Sequence, residues 1–158
     1  MNTLGNDPQE TIIFNKARSF CAAQERCEYE VRAKLRLWGA VQTFANKCIS
    51  TLQSEGYINE ARYARLFAGG KFRMLKWGRV KIIAELRKKH VSPASIRIGL
   101  EELDEQTYLN TLRMVLNRKQ LELKNEDPFI QKQKLVRFAI SKGYEPELVF
   151  KTMDYESE

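Results

Sequence analysis

Residues 56–91 read GYINEARYARLFAGGKFRMLKWGRVKIIAELRKKHV, and this stretch decides the fold that we predict for the chain. Asn59 is a favourable N-cap residue. The helix predicted after it has one apolar face, with Tyr63, Phe67 and Gly70. Trp77-Gly78 interrupts this pattern, because glycine is costly inside a helix, and a second apolar pattern begins at Val80. The stretch therefore predicts two amphipathic helices joined by a turn.

Positive charge is concentrated in the same stretch. Between Ala61 and Arg97 there are 11 lysines and arginines against one acidic residue, Glu85, which gives a local charge of +10. The whole chain has 27 basic and 20 acidic residues, so the remainder has 16 and 19 and a net charge of −3. A concentrated positive surface attracts a polyanion, above all nucleic acid, because neutralising phosphates releases condensed counterions. The alternative is an ordinary solvated helix surface.

The composition fits a folded and soluble protein. The chain has 158 residues, of which 43% are hydrophobic, enough for one ordinary domain or a short array of smaller units. Its apolar runs are far shorter than the roughly 20 residues needed to cross a bilayer. The polar N-terminus has no signal-peptide pattern. We therefore expect a soluble, cytoplasmic protein that does not bind a membrane.

Groups for metal, redox or catalytic chemistry are scarce. Cys21, Cys27 and Cys48 lie in helical patterns without metal-ligand spacing, so we expect small packing residues in a reducing compartment. His90, the one histidine, falls at a predicted helix end, where a capping or surface role is favoured over catalysis. The Gly69-Gly70 pair lacks the spacing of a phosphate-binding loop. We expect no cofactor, no metal site and no enzymatic activity.

The whole chain reads as helical, with almost no strand or hairpin signals. The four prolines at 8, 93, 128 and 146 fit helix starts, three of them after a capping Asp or Ser. The predicted helices span 8–23, 26–38, 41–55, 59–75, 77–89, 93–102, 104–124, 128–142 and 145–154. The fold class is therefore all-α, with short connections.

A repeat becomes visible when these helices are aligned. Val31, Leu35, Gly39, Ala45 and Ile49 recur 51 residues later as Ile82, Leu86, His90, Ile96 and Leu100. A further offset of 53 gives Leu135, Ala139, Gly143, Val149 and Met153. Because helical periodicity repeats itself easily, chance alignment is the alternative. The pattern predicts an elongated, curved array of three tandem three-helix, helix-turn-helix-like repeats. Their predicted bounds are 11–56, 57–103 and 104–154, between a flexible N-terminal tail at 1–10 and an acidic tail at 155–158.

The central stretch has a set of specific residues at fixed distances from one another. They are Gly56-Tyr57-Ile58-Asn59-Glu60-Ala61-Arg62-Tyr63-Ala64, then Phe67, Gly78, Ile82, Glu85-Leu86 and Lys89. Glu30-Val31 and Lys34-Leu35 precede them. Together they resemble the central signature, and the helix before it, of the RecX family of RecA recombinase regulators. The Arg-x-Arg-Ser run usual in that family is Gln24-Glu25-Arg26-Cys27 here, and its Lys-Gly-Ile end is Lys89-His90-Val91.

The resemblance implies a fold and a function. The family's fold is an all-α array of three-helix repeats. Its members bind in the groove of the RecA filament on DNA, limit the ATPase and strand-exchange activities of RecA in recombination and DNA repair, and are not enzymes. By resemblance, the partners of this protein are a RecA filament and single- or double-stranded DNA, and we expect it to act as a monomer.

The basic residues of the central helices form the predicted RecA- or DNA-binding face. They are Arg62, Arg65, Arg73, Lys76, Arg79, Lys81, Arg87, Lys88 and Lys89. Phe72 and Trp77 are the candidates for stacking on unpaired bases. The alternative function is that of a DNA-binding protein with helix-turn-helix-like modules. Lysines and arginines scattered around two helices suit backbone contacts better than base readout, so such binding would be sequence-nonspecific.

Overall fold

The computed structural model describes residue 4 and residues 7–156, and this part of the chain is helical throughout, without a strand. Its nine helices are α1 (Pro8–Ala23), α2 (Glu28–Leu37), α3 (Gln42–Ser54), α4 (Glu60–Leu75), α5 (Arg79–Lys88), α6 (Pro93–Leu100), α7 (Glu105–Glu122), α8 (Pro128–Ser141) and α9 (Pro146–Glu156). Each predicted helix is present, with both ends within two residues of the prediction. The all-α fold class is confirmed.

Local side-chain caps explain where several of the helices begin. The Asn59 side chain accepts a hydrogen bond of 2.9 Å from the Arg62 N–H, which confirms it as the N-cap of α4. Asp7, Ser92 and Asp127 cap α1, α6 and α8 in the same way, each directly before a proline. The proline costs nothing there, because its missing N–H would have no partner inside the helix. The local sequence therefore specifies where these four helices begin.

Helices α2, α5 and α8, the middle helices of the three predicted repeats, end in the same way, which supports the repeat. Gly39, His90 and Gly143 have φ angles of 89°, 58° and 100°. In each case the next residue donates its N–H back across the last turn, from Ala40 to Leu35, Val91 to Leu86 and Tyr144 to Ala139. This is the Schellman arrangement, for which glycine is the favoured residue. His90 adopts the left-handed conformation without that advantage, and its ring stacks on Tyr29, with centroids 4.8 Å apart.

The nine helices form three units: α1–α3 (first unit), α4–α6 (second unit) and α7–α9 (third unit). Helices pack most closely within a unit, above all α4 against α6. The residue bounds predicted for these units stay a prediction. In the N-terminal tail predicted at 1–10, residues 1–3, 5 and 6 lie outside the described residues, whereas residues 8–10 belong to α1. In the acidic tail predicted at 155–158, residues 157 and 158 lie outside them, and α9 reaches Glu156.

Buried side chains divide into two cores. The first core lies among α1–α3 and includes Val31, Leu35 and Leu52, each fully buried. The second core runs through α4–α9, with Tyr108 and Tyr144 at its centre. The second and third units therefore share one interior, whereas the first unit has its own core and contributes Cys27 to the second.

Backbone contacts join the second unit to the third. The N–H groups of Gly78 and Val80 donate to the carbonyls of Lys142 and Gly143, at 2.8 and 2.9 Å. The start of α5 is thus capped by the end of α8, which satisfies free donors and free acceptors together. A Cβ on Gly78 would lie 2.3 Å from the Gly143 carbonyl oxygen, so only glycine permits this approach.

Candidate functional site

The nine basic residues predicted to form a binding face do not all project into solvent. Arg65, Arg73, Arg87 and Lys88 are exposed. The half-buried ones are Arg62, Lys76, Arg79, Lys81 and Lys89. Because a bound phosphate must reach the cationic group, the exposed four are the better candidates for contact with a polyanion. The half-buried residues make contacts within the protein.

Arg79, predicted as part of the binding face, lies in the joint between the second and third units. Its guanidinium pairs with Glu145 at 2.8 Å and with Glu105, and it lies 3.8 Å from the centre of the Tyr108 ring. Burial alone would lower the pKa of Arg79, but the hydrogen bond and charge of Glu145 outweigh burial and raise it. The side chain is therefore a fixed cation of the joint.

Arg62 and Lys89 contact the first unit. The Arg62 guanidinium donates to Glu25 at 2.9 Å and to the Gly56 carbonyl at 2.9 Å. The Lys89 ammonium lies 3.8 Å from the Glu30 carboxylate. These two cations therefore help to orient the first unit on the second.

Lys76 caps the C-terminal end of α4. It has a φ of 60°, in the left-handed region, and its ammonium donates to the Arg73 carbonyl at 2.8 Å. A cation at a helix C-terminus satisfies carbonyls that lack a partner in the helix. Lys76 is thus a capping residue of the turn predicted at Trp77-Gly78.

Phe72 is buried, and its prediction as a base-stacking residue is wrong. It is 6% exposed, and its ring stacks on Tyr108 with centroids 5.8 Å apart. The basic residues beside it in sequence suggested exposure, but Phe72 lies on the face of α4 that packs in the second core.

Trp77 is half-buried, and two lysine ammonium groups lie over its ring. The ammonium groups of Lys71 and Lys81 lie 5.1 and 4.7 Å from the centre of its ring, within range of a cation–π interaction. Phe67 packs against the same indole edge-on. Lys71 was not among the predicted site residues, although its position four residues after Phe67 places it on the same helix face.

A cleft of about 630 Å³ lies between the first unit and helices α4 and α5. The first unit contributes Gln24, Glu25 and Glu30. The other lining residues are Tyr63, Leu66, Phe67, Lys71, Met74, Trp77, Glu85 and Lys89. Three carboxylates, two ammonium groups and an apolar floor suit the mixed surface of a protein better than a uniform row of phosphates.

The three cysteines are buried, which keeps their thiols protonated and unreactive. Burial raises the pKa of Cys21, Cys27 and Cys48 to about 11. Within the described part of the chain, no group of three His, Cys, Asp or Glu residues could hold a metal ion. None of the described helices is both long and apolar enough to cross a membrane.

Two family models match the chain in consecutive blocks. The model of the second three-helix domain of RecX matches residues 59–100, and that of the third three-helix domain matches residues 106–153. The chain belongs to the RecX family. The blocks correspond to the second and third units, and the first of them contains the whole positively charged stretch from Ala61 to Arg97.

Curated relatives agree with this assignment. The regulatory protein RecX of Amycolatopsis mediterranei is 24% identical over 147 residues, which cover 90% of this chain and 84% of that protein. RecX of Clostridium beijerinckii is 30% identical, covering 78% of this chain and 58% of its own length. RecX of Clostridium perfringens strain SM101 is 31% identical, covering 75% and 56%. The chain thus aligns with somewhat more than half of each clostridial protein.

Solved RecX structures have the same fold. RecX from Lactobacillus salivarius superimposes with a TM-score of 0.84 at 16% identity, covering 93% of this chain and 96% of that one. A second structure of a regulatory protein RecX gives a TM-score of 0.84, covering 92% of this chain and 72% of that one. At this identity the likeness concerns the fold alone.

Proposed function

We propose that this protein regulates a RecA recombinase by binding the RecA filament on DNA. One observation carries the proposal: the block that matches the second RecX domain, residues 59–100, contains the stretch with a net charge of +10. A filament on DNA offers phosphates and extended protein surface together. The array of three units offers an exposed positive surface beside the mixed lining of the cleft.

Regulation would follow from occupancy rather than catalysis. A ligand shifts a conformational equilibrium only through different affinities for its states. A protein that bridges neighbouring RecA protomers can hold them in a state that hydrolyses ATP slowly and exchanges strands poorly. We expect this protein to act in this way as a monomer, with no enzymatic activity of its own.

Solvent exposure supports a subset of the predicted basic residues as contacts for such binding. Arg73, Arg87 and Lys88 are exposed on α4 and α5, and the exposed Lys88 ammonium pairs with the half-buried Glu85 at 3.1 Å. Such pairs are worth about 0–1 kcal/mol, so these side chains reach a partner at little cost. Arg79 is unsuitable for a charge-reversal test, because its loss would break the joint to the third unit.

The test is the single-stranded-DNA-dependent ATPase of the cognate RecA, titrated with this protein. We expect inhibition at substoichiometric ratios. The variant Arg73→Glu/Arg87→Glu/Lys88→Glu should lose it, because the reversed charges repel phosphates. The matched control, Arg113→Glu/Arg118→Glu/Lys124→Glu, changes the net charge equally at exposed positions of the third unit and should still inhibit. Equal loss in both variants would show that total charge, and not the second unit, is responsible.

The second candidate function is sequence-nonspecific DNA binding without a RecA partner. The same positive surface favours it, since phosphate contacts need no partner protein. Fluorescence anisotropy with a labelled oligonucleotide at about 100 and 300 mM salt measures this binding, and each lost phosphate contact should reduce the salt slope by about one. Salt-sensitive DNA binding with no effect on the RecA ATPase at any ratio would favour this function over the first.

A further inference from the structure

The third unit has an apolar groove that neither candidate function uses. Phe129, Val136 and Ile140 of α8 and Phe150 of α9 form its walls, with Lys132 and Arg137 beside them, and the cavity measures about 590 Å³. We call it the α8–α9 groove. It lies outside the positively charged stretch of the second unit.

Large apolar side chains in the groove are unusually open to solvent. Phe129 is 67% exposed, Phe150 47% and Ile140 40%. Single exposed apolar residues are common on protein surfaces, but several that line one concavity mark a site of interaction. The groove therefore needs an apolar occupant.

The length of the groove fits a helix. Phe129, Val136 and Ile140 lie at positions i, i+7 and i+11 of α8, so one apolar line runs along about 16 Å of the helix. That is about three turns, the length over which an amphipathic helix places its own apolar residues in a hydrophobic groove.

The charge of the groove indicates which charge its occupant should have. Its charged lining residues are Lys132 and Arg137, and no carboxylate lines it. Neither cation has a salt bridge with a described residue. An apolar helix flanked by Asp or Glu would complement both properties. Single-stranded DNA fits less well, because its bases could stack on Phe129 and Phe150 but would leave the aliphatic walls Val136 and Ile140 without an apolar partner.

We propose that the α8–α9 groove binds an acidic amphipathic helix of a partner protein. The apolar side chains of that helix enter between Phe129 and Phe150, and its carboxylates meet Lys132 and Arg137. The proposal does not depend on the role of the second unit in RecA regulation, because it concerns a different surface and a different chemistry.

The test uses a fluorescein-labelled synthetic helix as a probe. It has about 16 residues, with Leu or Phe at i, i+4, i+7 and i+11 and mostly Glu elsewhere, and a second peptide has Lys in place of Glu. Anisotropy should show that the full-length protein binds the acidic peptide about tenfold or more tightly than the basic one. Equal affinity for both peptides, or no binding of either, would overturn the proposal.

Two variants assign the binding to the groove. Phe129→Ser/Phe150→Ser should lose binding of the acidic peptide, whereas Leu37→Ser/Leu121→Ser, at residues that are 73% and 71% exposed elsewhere, should keep it. Lys132→Glu/Arg137→Glu should reverse the preference toward the basic peptide, a gain that an unfolded variant would not show. If the Phe129/Phe150 variant instead loses binding of labelled oligo-dT, or loses a dimer seen by sedimentation, the occupant is nucleic acid or a second copy and the proposal fails.

Discussion

The Glu30 carboxylate makes several polar contacts where the first unit meets the second. It accepts a hydrogen bond of 3.2 Å from the Cys27 thiol, lies 3.8 Å from the Lys89 ammonium and is hydrogen-bonded to Tyr63. Burial alone would raise the pKa of Glu30, but the bonds from Tyr63 and Cys27 and the charge of Lys89 outweigh burial and lower it. The folded protein therefore favours the charged form of this side chain.

Replacing Glu30 with Gln should destabilise the protein in a pH-dependent way. The folded pKa of Glu30 lies below the unfolded one, so its contribution is complete above the ordinary value of about 4.3 and is lost as pH falls through the folded pKa. We expect Glu30→Gln to lower the free energy of unfolding by about 1–2 kcal/mol at pH 7, and the difference from wild type to shrink below about pH 4. Urea denaturation at several pH values measures both quantities.

Glu28 provides the control for this residue. It pairs at 3.1 Å with Arg32, four residues further along α2, and both side chains are partly exposed. Because partly exposed pairs at this spacing contribute little, Glu28→Gln should change the free energy of unfolding by at most about 0.5 kcal/mol. A Glu30→Gln effect of unchanged size from pH 7 to pH 3 would show that packing, and not charge, gives Glu30 its role.

At the scale of the helices, the closest packing joins α4 to α6. A Cβ on Gly99 would lie 2.7 Å from the Ala64 carbonyl oxygen and 2.9 Å from the Ala64 Cβ. Both residues are buried, so any larger side chain at Gly99 must push the two helices apart. The second unit therefore depends on two small residues that cross at van der Waals distance.

Gly99→Ala should destabilise the protein, whereas Gly70→Ala should not. The first change overpacks the α4–α6 crossing and should cost about 1–3 kcal/mol, or roughly 3–9 °C in Tm for a chain of this size. Gly70 lies in α4 with nothing within 4 Å of an added Cβ, so alanine should stabilise the helix by up to about 1 kcal/mol. Thermal denaturation followed by circular dichroism measures both. Two shifts of the same sign would contradict the assignment of Gly99 to a close helix crossing.

Helices were predictable from the sequence because their signals are local. Asn59, Ser92 and the prolines specify starts within a few residues, and Gly39 and Gly143 specify ends in the same way. The alignment that pairs these glycines with His90 needed only the spacing of the helices. Fold class and unit order follow from such signals.

The partners of the basic residues were not predictable in this way. Arg79 meets Glu145 across 66 positions of sequence, and Phe72 stacks on Tyr108 across the boundary between two units. A list of cations in one stretch cannot tell which of them tertiary packing neutralises. The α8–α9 groove was missed for the same reason, since Phe150 joins Phe129 only after α9 folds back on α8.

At the scale of the whole molecule, the two cores divide the chain unequally. Across the joint between the second and third units, the second core is continuous and backbone hydrogen bonds link α5 to α8. Between the first and second units, the contacts include the packing of Cys27 in the second core and side-chain pairs such as Arg62 with Glu25, at 2.9 Å, beside an open cleft. Partly exposed pairs contribute about 0–1 kcal/mol each, far less than a shared core.

The first unit should therefore unfold independently of the other two. Leu35 and Leu86 occupy equivalent repeat positions and are both fully buried, in the first and second cores, so Leu→Ala at either should cost about 2–5 kcal/mol. In native-state hydrogen exchange, Leu35→Ala should accelerate exchange in α1–α3 and leave α7–α9 unchanged, because local opening follows the core that is weakened. Leu86→Ala should accelerate exchange throughout α4–α9. Equal acceleration of all nine helices by Leu35→Ala would mean that the weak contacts beside the cleft still couple the first unit to the rest, and that the chain unfolds as one cooperative body.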